Sequence, residues 1–402
     1  MKPPALFRRA LPVALLLWVS STVAQNQSGS VTVGEAVQIQ SQILKQPRSL
    51  RISKPDSYDE GTERYPVLYL LDGESNFGFT VPIVRFLADN ERMPEMIVVA
   101  IDSGDVAQRT HDLTPPTQKD VENRFSPGNG GADDFLAFMS DELLPFIERN
   151  YRTRPYNILI GHSFGGLFAL HVFATKPGLF NAYVAIDPTA GWNNGAEIAR
   201  VQRVLSESKD LQADLFIAGA NDLGKATPDV QQLAVALEAN HLKSFRWKFE
   251  WMKEETHTSI ALLGIYSGLC AIFDGWSLAD PLKVFDEGGL DAIHKHFQDG
   301  GKRAGYERTT PPFTISLVVA GLIRRGSLEE AATVLLHDPK AYPPPWNQLD
   351  ALARAYGERG NKKQAIRYYA LSLQENPGNN WARQKLKELG ADPNSSTKEN
   401  HH

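Results

Sequence analysis

The stretch Tyr156-Asn157-Ile158-Leu159-Ile160-Gly161-His162-Ser163-Phe164-Gly165-Gly166-Leu167-Phe168-Ala169-Leu170 reads as a strand, a tight turn and a helix, with a single serine between glycines at the turn. A turn this sharp strains its central residue and crowds the residues beside it. Glycines on both sides therefore leave the Ser163 hydroxyl standing free above the strand end. A serine hydroxyl is a weak nucleophile near neutral pH. It needs a base to take its proton and an acid to orient that base. A bare junction with an inert serine would carry the same five residues, but the flanking strand and helix favour the chemical reading. His162 adjoins the serine, and in such a turn its side chain points away from Ser163, so packing is its expected role.

The partners of a serine in this kind of turn follow it in the order acid, then histidine. Asp214-Leu215-Phe216-Ile217-Ala218-Gly219-Ala220-Asn221-Asp222 reads as a strand with an acid just past its C-terminal end, which makes Asp222 the candidate orienting carboxylate. Beside Asn221 and Gly224, Asp222 could instead be a turn or capping residue. The run Trp251-Met252-Lys253-Glu254-Glu255-Thr256-His257-Thr258-Ser259 places a histidine in the loop after the last strand, and His257 is the candidate base. His171 and His241 fall on helical segments, while Glu254 and Glu255 are substitute acids. A developing oxyanion needs two backbone N–H groups. One is expected from Phe164, and the other from Gly73 or Glu74 in the loop after Pro66–Leu71, where the glycine lets the chain turn back towards the serine.

These residues must be held by a larger framework. Val37–Leu44 and Ser49–Ile52 read as an N-terminal hairpin. Short apolar runs follow at Pro66–Leu71, Met96–Ile101, Ile158–Ile160, Tyr183–Ile186, Asp214–Ala218 and Phe245–Trp251. Amphipathic segments such as Asp134–Asn150 lie between several of them. Buried strands alternating with such helices predict an α/β domain over residues 30–277, a mainly parallel sheet covered by helices on both faces. Beyond Leu282 strand signals stop. Gly326 and Gly360, Ala331 and Ala365, and Pro343 and Pro377 are each 34 residues apart, the period of tetratricopeptide repeats. Leu352, Ala353, Tyr356, Tyr369 and Pro377 fit that pattern. Pro312–Pro345 is a degenerate first unit, with Leu322 where the second has Tyr356, and Ser372 replaces an expected alanine. Residues 283–390 are thus expected to form a small all-α region, with Trp381–Leu389 as a capping helix and 391–402 as a polar tail.

Lys2, Arg8 and Arg9 precede the apolar run Ala10–Val19, and small residues follow at Thr22 and Ala24. This pattern predicts a signal peptide over residues 1–24, too short to span a bilayer, and a periplasmic or secreted mature chain with no membrane span. Across 402 residues, 42 Lys and Arg against 47 Asp and Glu give a net charge of −5, so no nucleic-acid footprint is expected. Cys270 is the only cysteine, which excludes an intramolecular disulfide and any CxxC metal or redox site.

The ordered set Leu70-Leu71-Asp72-Gly73, Arg109-Thr110-His111-Asp112-Leu113-Thr114-Pro115, Gly130-Gly131-Ala132, Glu142-Leu143-Leu144-Pro145, Tyr151-Arg152, Gly161–Gly166 and His257 resembles the esterase-D-type branch of the α/β-hydrolases. That branch includes S-formylglutathione hydrolases, siderophore esterases of the enterochelin type, and mycolyltransferases. The likeness covers roughly Val33–Phe273. It implies an α/β-hydrolase fold and an exported serine esterase without metal or cofactor, acting on a small ester or lactone that could be a siderophore. Ser163 and His257 carry over directly. Asp222 carries over as the acid, and some siderophore-esterase relatives are described as a serine–histidine dyad. Asp187, in Ala185-Ile186-Asp187-Pro188, stands where many members have serine, and its carboxylate is expected to line the pocket, with Arg109 as a second substrate-binding candidate. Two rivals use the same residues differently. One is an inert hydrolase-fold protein that binds a protein partner through its repeats, and the other is an acyltransferase with the same triad.

Overall fold

The computed structural model describes residues 32–393, apart from residues 225, 240, 241, 243 and 341. The expected signal peptide, 1–24, lies outside these residues, as does most of the tail. Eight strands form one sheet in the order β1-β2-β4-β3-β5-β6-β7-β8. They are β1 (Glu35–Gln40), β2 (Pro47–Ser53), β3 (Tyr65–Leu70), β4 (Ile97–Ile101), β5 (Thr153–His162), β6 (Ala182–Ile186), β7 (Ala213–Ala220) and β8 (Phe245–Met252). The expected hairpin is present, with β1 antiparallel to β2 and β2 antiparallel to β4, and the remaining neighbours pair in parallel. The α/β class read from the sequence is therefore the observed one.

Alternation along each strand divides the core in two. Val67 and Tyr69 of β3, with Ile97, Val99 and Ile101 of β4, point to one face, and Leu68, Leu70, Val98 and Ala100 point to the other. The first face is covered by α4 (Ala132–Phe138), which passes through a π-helical turn at Met139–Leu143 into α5 (Leu144–Asn150), and by α6 (Phe164–Thr175), α7 (Trp192–Glu207) and α8 (Pro228–Glu238). The second is covered by α1 (Gly73–Asp89) and α9 (Ile260–Ile272). Two short helices, α2 (Val106–Leu113) and α3 (Asp120–Phe125), follow β4. Parallel pairing brings the C-terminal ends of β3, β5, β6, β7 and β8 to one rim, where residues distant in sequence can meet.

The remaining helices are α10 (Pro281–Arg303), interrupted at Gly288 and Gly289, α11 (Pro312–Arg325), α12 (Leu328–Leu335), α13 (Trp346–Glu358), α14 (Lys362–Glu375) and α15 (Asn380–Glu388). They bury a core of their own around Val318, Val319, Leu322, Leu349, Leu352 and Tyr356. Residues 34 apart occupy like places. Gly326 and Gly360 end α11 and α13 in left-handed backbone at φ 85° and 75°, and Ala331 and Ala365 are fully buried on α12 and α14.

From Gly34 onward the chain is one compact unit, and its two cores meet through the segment after α10. Ala304 and Tyr306 join the core beneath α1 and α9. The Arg308 guanidinium lies 3.8 Å from the Trp276 ring centre and 4.6 Å from that of Phe297, and it donates to the Trp276 carbonyl. Burial lowers this guanidinium to about 10, and the rings and carbonyl stand in for the lost water. Arg308→Ala is expected to cost about 2 kcal/mol, because a desolvated cation–π contact and the packing of a long aliphatic stem are lost together. Denaturant unfolding should show this as a lower midpoint with the far-UV circular dichroism of the native state unchanged. An unmoved midpoint would mean that the joint is held by other contacts.

Candidate active site

β5 ends at His162, and Ser163 takes φ 60° and ψ −116° before α6 begins at Phe164. Glycine is required beside it. A Cβ on Gly161 would lie 2.2 Å from the Gly165 carbonyl oxygen, and one on Gly166 would lie 3.0 Å from Pro188 Cα. The strained residue is tied to the end of the neighbouring strand: Ser163 N–H donates to the Ile186 carbonyl at 3.0 Å, and the Ser163 carbonyl accepts from Thr189 N–H at 3.3 Å. Strained backbone of this kind persists only where its surroundings over-determine it.

His257 stands in the loop between β8 and α9, with Nε2 3.0 Å from Ser163 Oγ. Its Nδ1 lies 2.5 Å from Asp187 Oδ2. Asp187 follows β6 at φ 38°, donates its own N–H to the Ala218 carbonyl at 2.7 Å, and accepts the Ala220 N–H on Oδ1 at 3.0 Å. The aspartate side chain is 4 % exposed and the imidazole 52 %. Burial alone would raise this carboxyl, but the hydrogen bonds from His257 and Ala220 and the imidazole's positive potential outweigh it and hold the group below the ordinary carboxylate value. Serine, histidine and aspartate form one continuous hydrogen-bonded line from an exposed hydroxyl to a buried charge.

One expectation is corrected here. Asp222 does not reach His257. The Asn221 side chain accepts the Gly224 N–H at 2.8 Å and donates to the Lys253 carbonyl at 2.7 Å, closing a turn that carries Asp222 into solvent. The carboxylate facing the imidazole belongs to Asp187, one strand nearer the serine, which the sequence had suggested only as a pocket-lining residue. Glu255 accepts from Ser259 Oγ at 2.6 Å, and Glu254 lies 3.8 Å from Lys253 Nζ. The available signal for Asp187 was an acid just past a buried strand adjacent to the serine's own strand, followed by a proline.

Arg109, the second substrate-binding candidate, is held by groups of the protein itself. Its Nε and Nη2 grip the two oxygens of buried Asp72 at 2.6 and 2.8 Å, and Nη2 also reaches the His162 carbonyl at 3.4 Å. Burial opposes the guanidinium charge, yet Asp72 outweighs it and raises the pKa further. Arg109 therefore braces the loop after β3 against the serine turn, and its guanidinium carbon lies 5.6 Å from the centre of the Phe164 ring. Asp72 sits at φ 56°, and Gly73 begins α1 where a Cβ would meet Asp102 Oδ1 at 2.8 Å. The amides of Phe164, Gly73 and Glu74 lie in the first turns of α6 and α1, where helical N–H groups lack intrahelical acceptors and favour negative charge. The Glu74 carboxylate turns back to accept the Ser103 N–H at 3.0 Å. Among the described residues no group of three or more His, Cys, Asp or Glu is placed to hold a metal ion.

The family described as "Putative esterase" matches residues 41–258, more than half of the chain. The chain belongs to this esterase family. The ferri-bacillibactin esterase BesA of Bacillus subtilis is 35% identical over 174 residues, 39% of this chain and 59% of that protein. The siderophore enterobactin esterase of Emericella nidulans is 33% identical over 180 residues, 40% of this chain and 59% of its own. The chain thus spans under two thirds of the length of these two esterases. Among solved structures, an IroE-like serine hydrolase from Shewanella oneidensis superposes with a TM-score of 0.59 at 26% identity, covering 75% of this chain and 97% of its own.

His162 contributes something the sequence did not suggest. Its Nε2 lies 2.7 Å from the His257 carbonyl, so the proton must sit on Nε2, and the two rings are 4.8 Å apart. Burial first, and the neighbouring imidazole second, hold His162 below the ordinary histidine value. Below about pH 6.5 an unfolded chain takes up a second imidazole proton, on Nδ1, before the folded one does. Its stabilising contribution is thus full above that pH and is lost as pH falls through the lower folded value. His162→Gln, which keeps a donor but does not titrate, should remove this part of the slope in denaturant stabilities compared between pH 7.5 and 5.5, and an unchanged slope would contradict the assignment.

Proposed function

We propose that this chain is an exported serine ester hydrolase that works through an acyl-enzyme, with Ser163 as nucleophile, His257 as base and Asp187 as the orienting acid. The observation that carries the reading is the unbroken line from Ser163 Oγ through His257 to Asp187, ending on a carboxylate fixed by a backbone amide. As Ser163 Oγ attacks the ester carbonyl carbon, its proton passes to His257 Nε2 and the C=O electron pair moves onto oxygen. Asp187 stabilises the imidazolium and keeps Nε2 aimed at the hydroxyl. The amides of Phe164 and of Gly73 or Glu74 receive the oxyanion. Collapse of this intermediate breaks the ester C–O bond, and His257 returns the proton to the departing alcohol. Water then repeats the sequence on the acyl-enzyme, releasing the acid and restoring Ser163.

The substrate class is drawn from the relatives. Two siderophore esterases share about a third of their aligned residues with this chain, so an ester or lactone of a siderophore is the proposed substrate. Export follows from the N-terminal charge and apolar pattern, and the C-terminal helix pairs are read as tetratricopeptide-like repeats that cap the esterase domain.

Ser163→Ala should lower kcat/KM on a p-nitrophenyl ester by about 10⁴–10⁶-fold with the fold intact. Asp187→Asn should lower kcat by about 10⁴-fold, whereas Asp222→Asn should stay within about tenfold of wild type. A large loss at Asp222 with little at Asp187 would refute the proposed acid. An inactive wild type that no fluorophosphonate labels would refute the enzyme reading.

A further inference from the structure

β8 closes one side of the sheet. It pairs with β7 along its whole length, Ala213–Ala220 against Phe245–Met252, and among the described residues no strand pairs with its outer edge. Such an edge offers a row of unmet backbone donors and acceptors, and proteins normally blunt it with charged side chains, proline, a bulge or a covering element. The sequence Phe245-Arg246-Trp247-Lys248-Phe249-Glu250-Trp251-Met252 contains no proline, and its pairing with β7 runs without a break in register. Alternation places Trp247, Phe249 and Trp251 on one face and Arg246, Lys248 and Glu250 on the other. The rings of Trp247 and Phe249 are only partly covered by the core on the α8 side, and Trp251 is 41 % exposed. An open edge therefore carries a ladder of half-covered aromatic rings.

The charges on the opposite face suit one partner in particular. Lys248 Nζ lies 3.0 Å from Glu250 Oε2, two residues along the same strand. An antiparallel copy of this strand with its twofold axis at Phe249 would set each Lys248 opposite a Glu250 and each Trp247 opposite a Trp251. Opposed residues in such a ladder share a face and interact directly. Neighbouring registers match less well: an axis at Trp247 sets Lys248 opposite Arg246, and an axis at Lys248 sets the two lysines against each other and gives Glu250 only Arg246, which Asp214 already holds. We propose that β8 pairs edge to edge with β8 of a second copy of this chain, antiparallel about Phe249, to make one continuous sheet across a homodimer. This rests on the edge strand alone and is independent of the catalytic reading.

Sedimentation velocity of the full chain over a range of concentrations tests it, with far-UV circular dichroism as the check on folding. Wild type is expected to dimerise reversibly. Lys248→Glu and Glu250→Lys should each raise the dimer dissociation constant by about tenfold or more, because the twofold turns two attractive contacts into repulsive ones. The double variant Lys248→Glu/Glu250→Lys exchanges the charges and should restore dimerisation. A wild type that stays monomeric at the highest soluble concentration would overturn the proposal. So would a dimer indifferent to both single variants, or a double variant no better than either of them.

Discussion

The close approach of the β5–α6 turn to the end of β6 is the constraint on which the site depends. Ser163 can hold its strained backbone only because Gly161 and Gly166 lack side chains and because the Ile186 carbonyl and Thr189 amide clasp it on either side. The same clasp sets the segment that holds Asp187. Once Asp187 is turned to positive φ, its two carboxylate oxygens meet the Ala220 amide and the His257 imidazole. The geometry of Ser163 and that of Asp187 are therefore one packing solution, and a side chain at Gly166 would disturb both at once.

Electrostatics complete what packing begins. The pair of half-buried Arg109 and buried Asp72 spans from α2 to the loop after β3 and touches the back of the serine turn through the His162 carbonyl. A second pair, Arg48–Asp112 at 2.6 Å, anchors the same helix to β2. Breaking a buried pair from one side leaves an uncompensated charge and costs far more than the pair itself contributes. α2 thus acts as a bracket that fixes the first-turn amides of α1 against those of α6. His162 adds a third fastening by holding the backbone of His257 from below.

Much of this was legible in the sequence because glycine and apolar runs are strong local signals. The hairpin, the parallel strands, the serine turn and the histidine after the last strand all follow from punctuation that a single segment displays. The identity of the acid did not. Asp187 and Asp222 both lie just past the end of a buried strand on the same rim, and composition treats them alike. What separates them is non-local: the amide of Ala220, on the next strand, meets Asp187, while the Asn221 side chain closes a turn that sends Asp222 outward. The partner of Arg109 was hidden for a related reason, since the buried carboxylate that holds it lies 37 residues away along the chain.

The central claim is that Asp187, and not Asp222, holds the Nδ1 proton of His257, and proton NMR of that site tests it most directly. A hydrogen bond this short to a buried carboxylate should give a strongly deshielded, slowly exchanging Nδ1–H resonance, coupled to ¹⁵N in histidine-labelled protein. The account predicts that the resonance is present in wild type and in Asp222→Asn and absent in Asp187→Asn and His257→Ala. A resonance that survives Asp187→Asn unchanged, or that vanishes in Asp222→Asn, would contradict it.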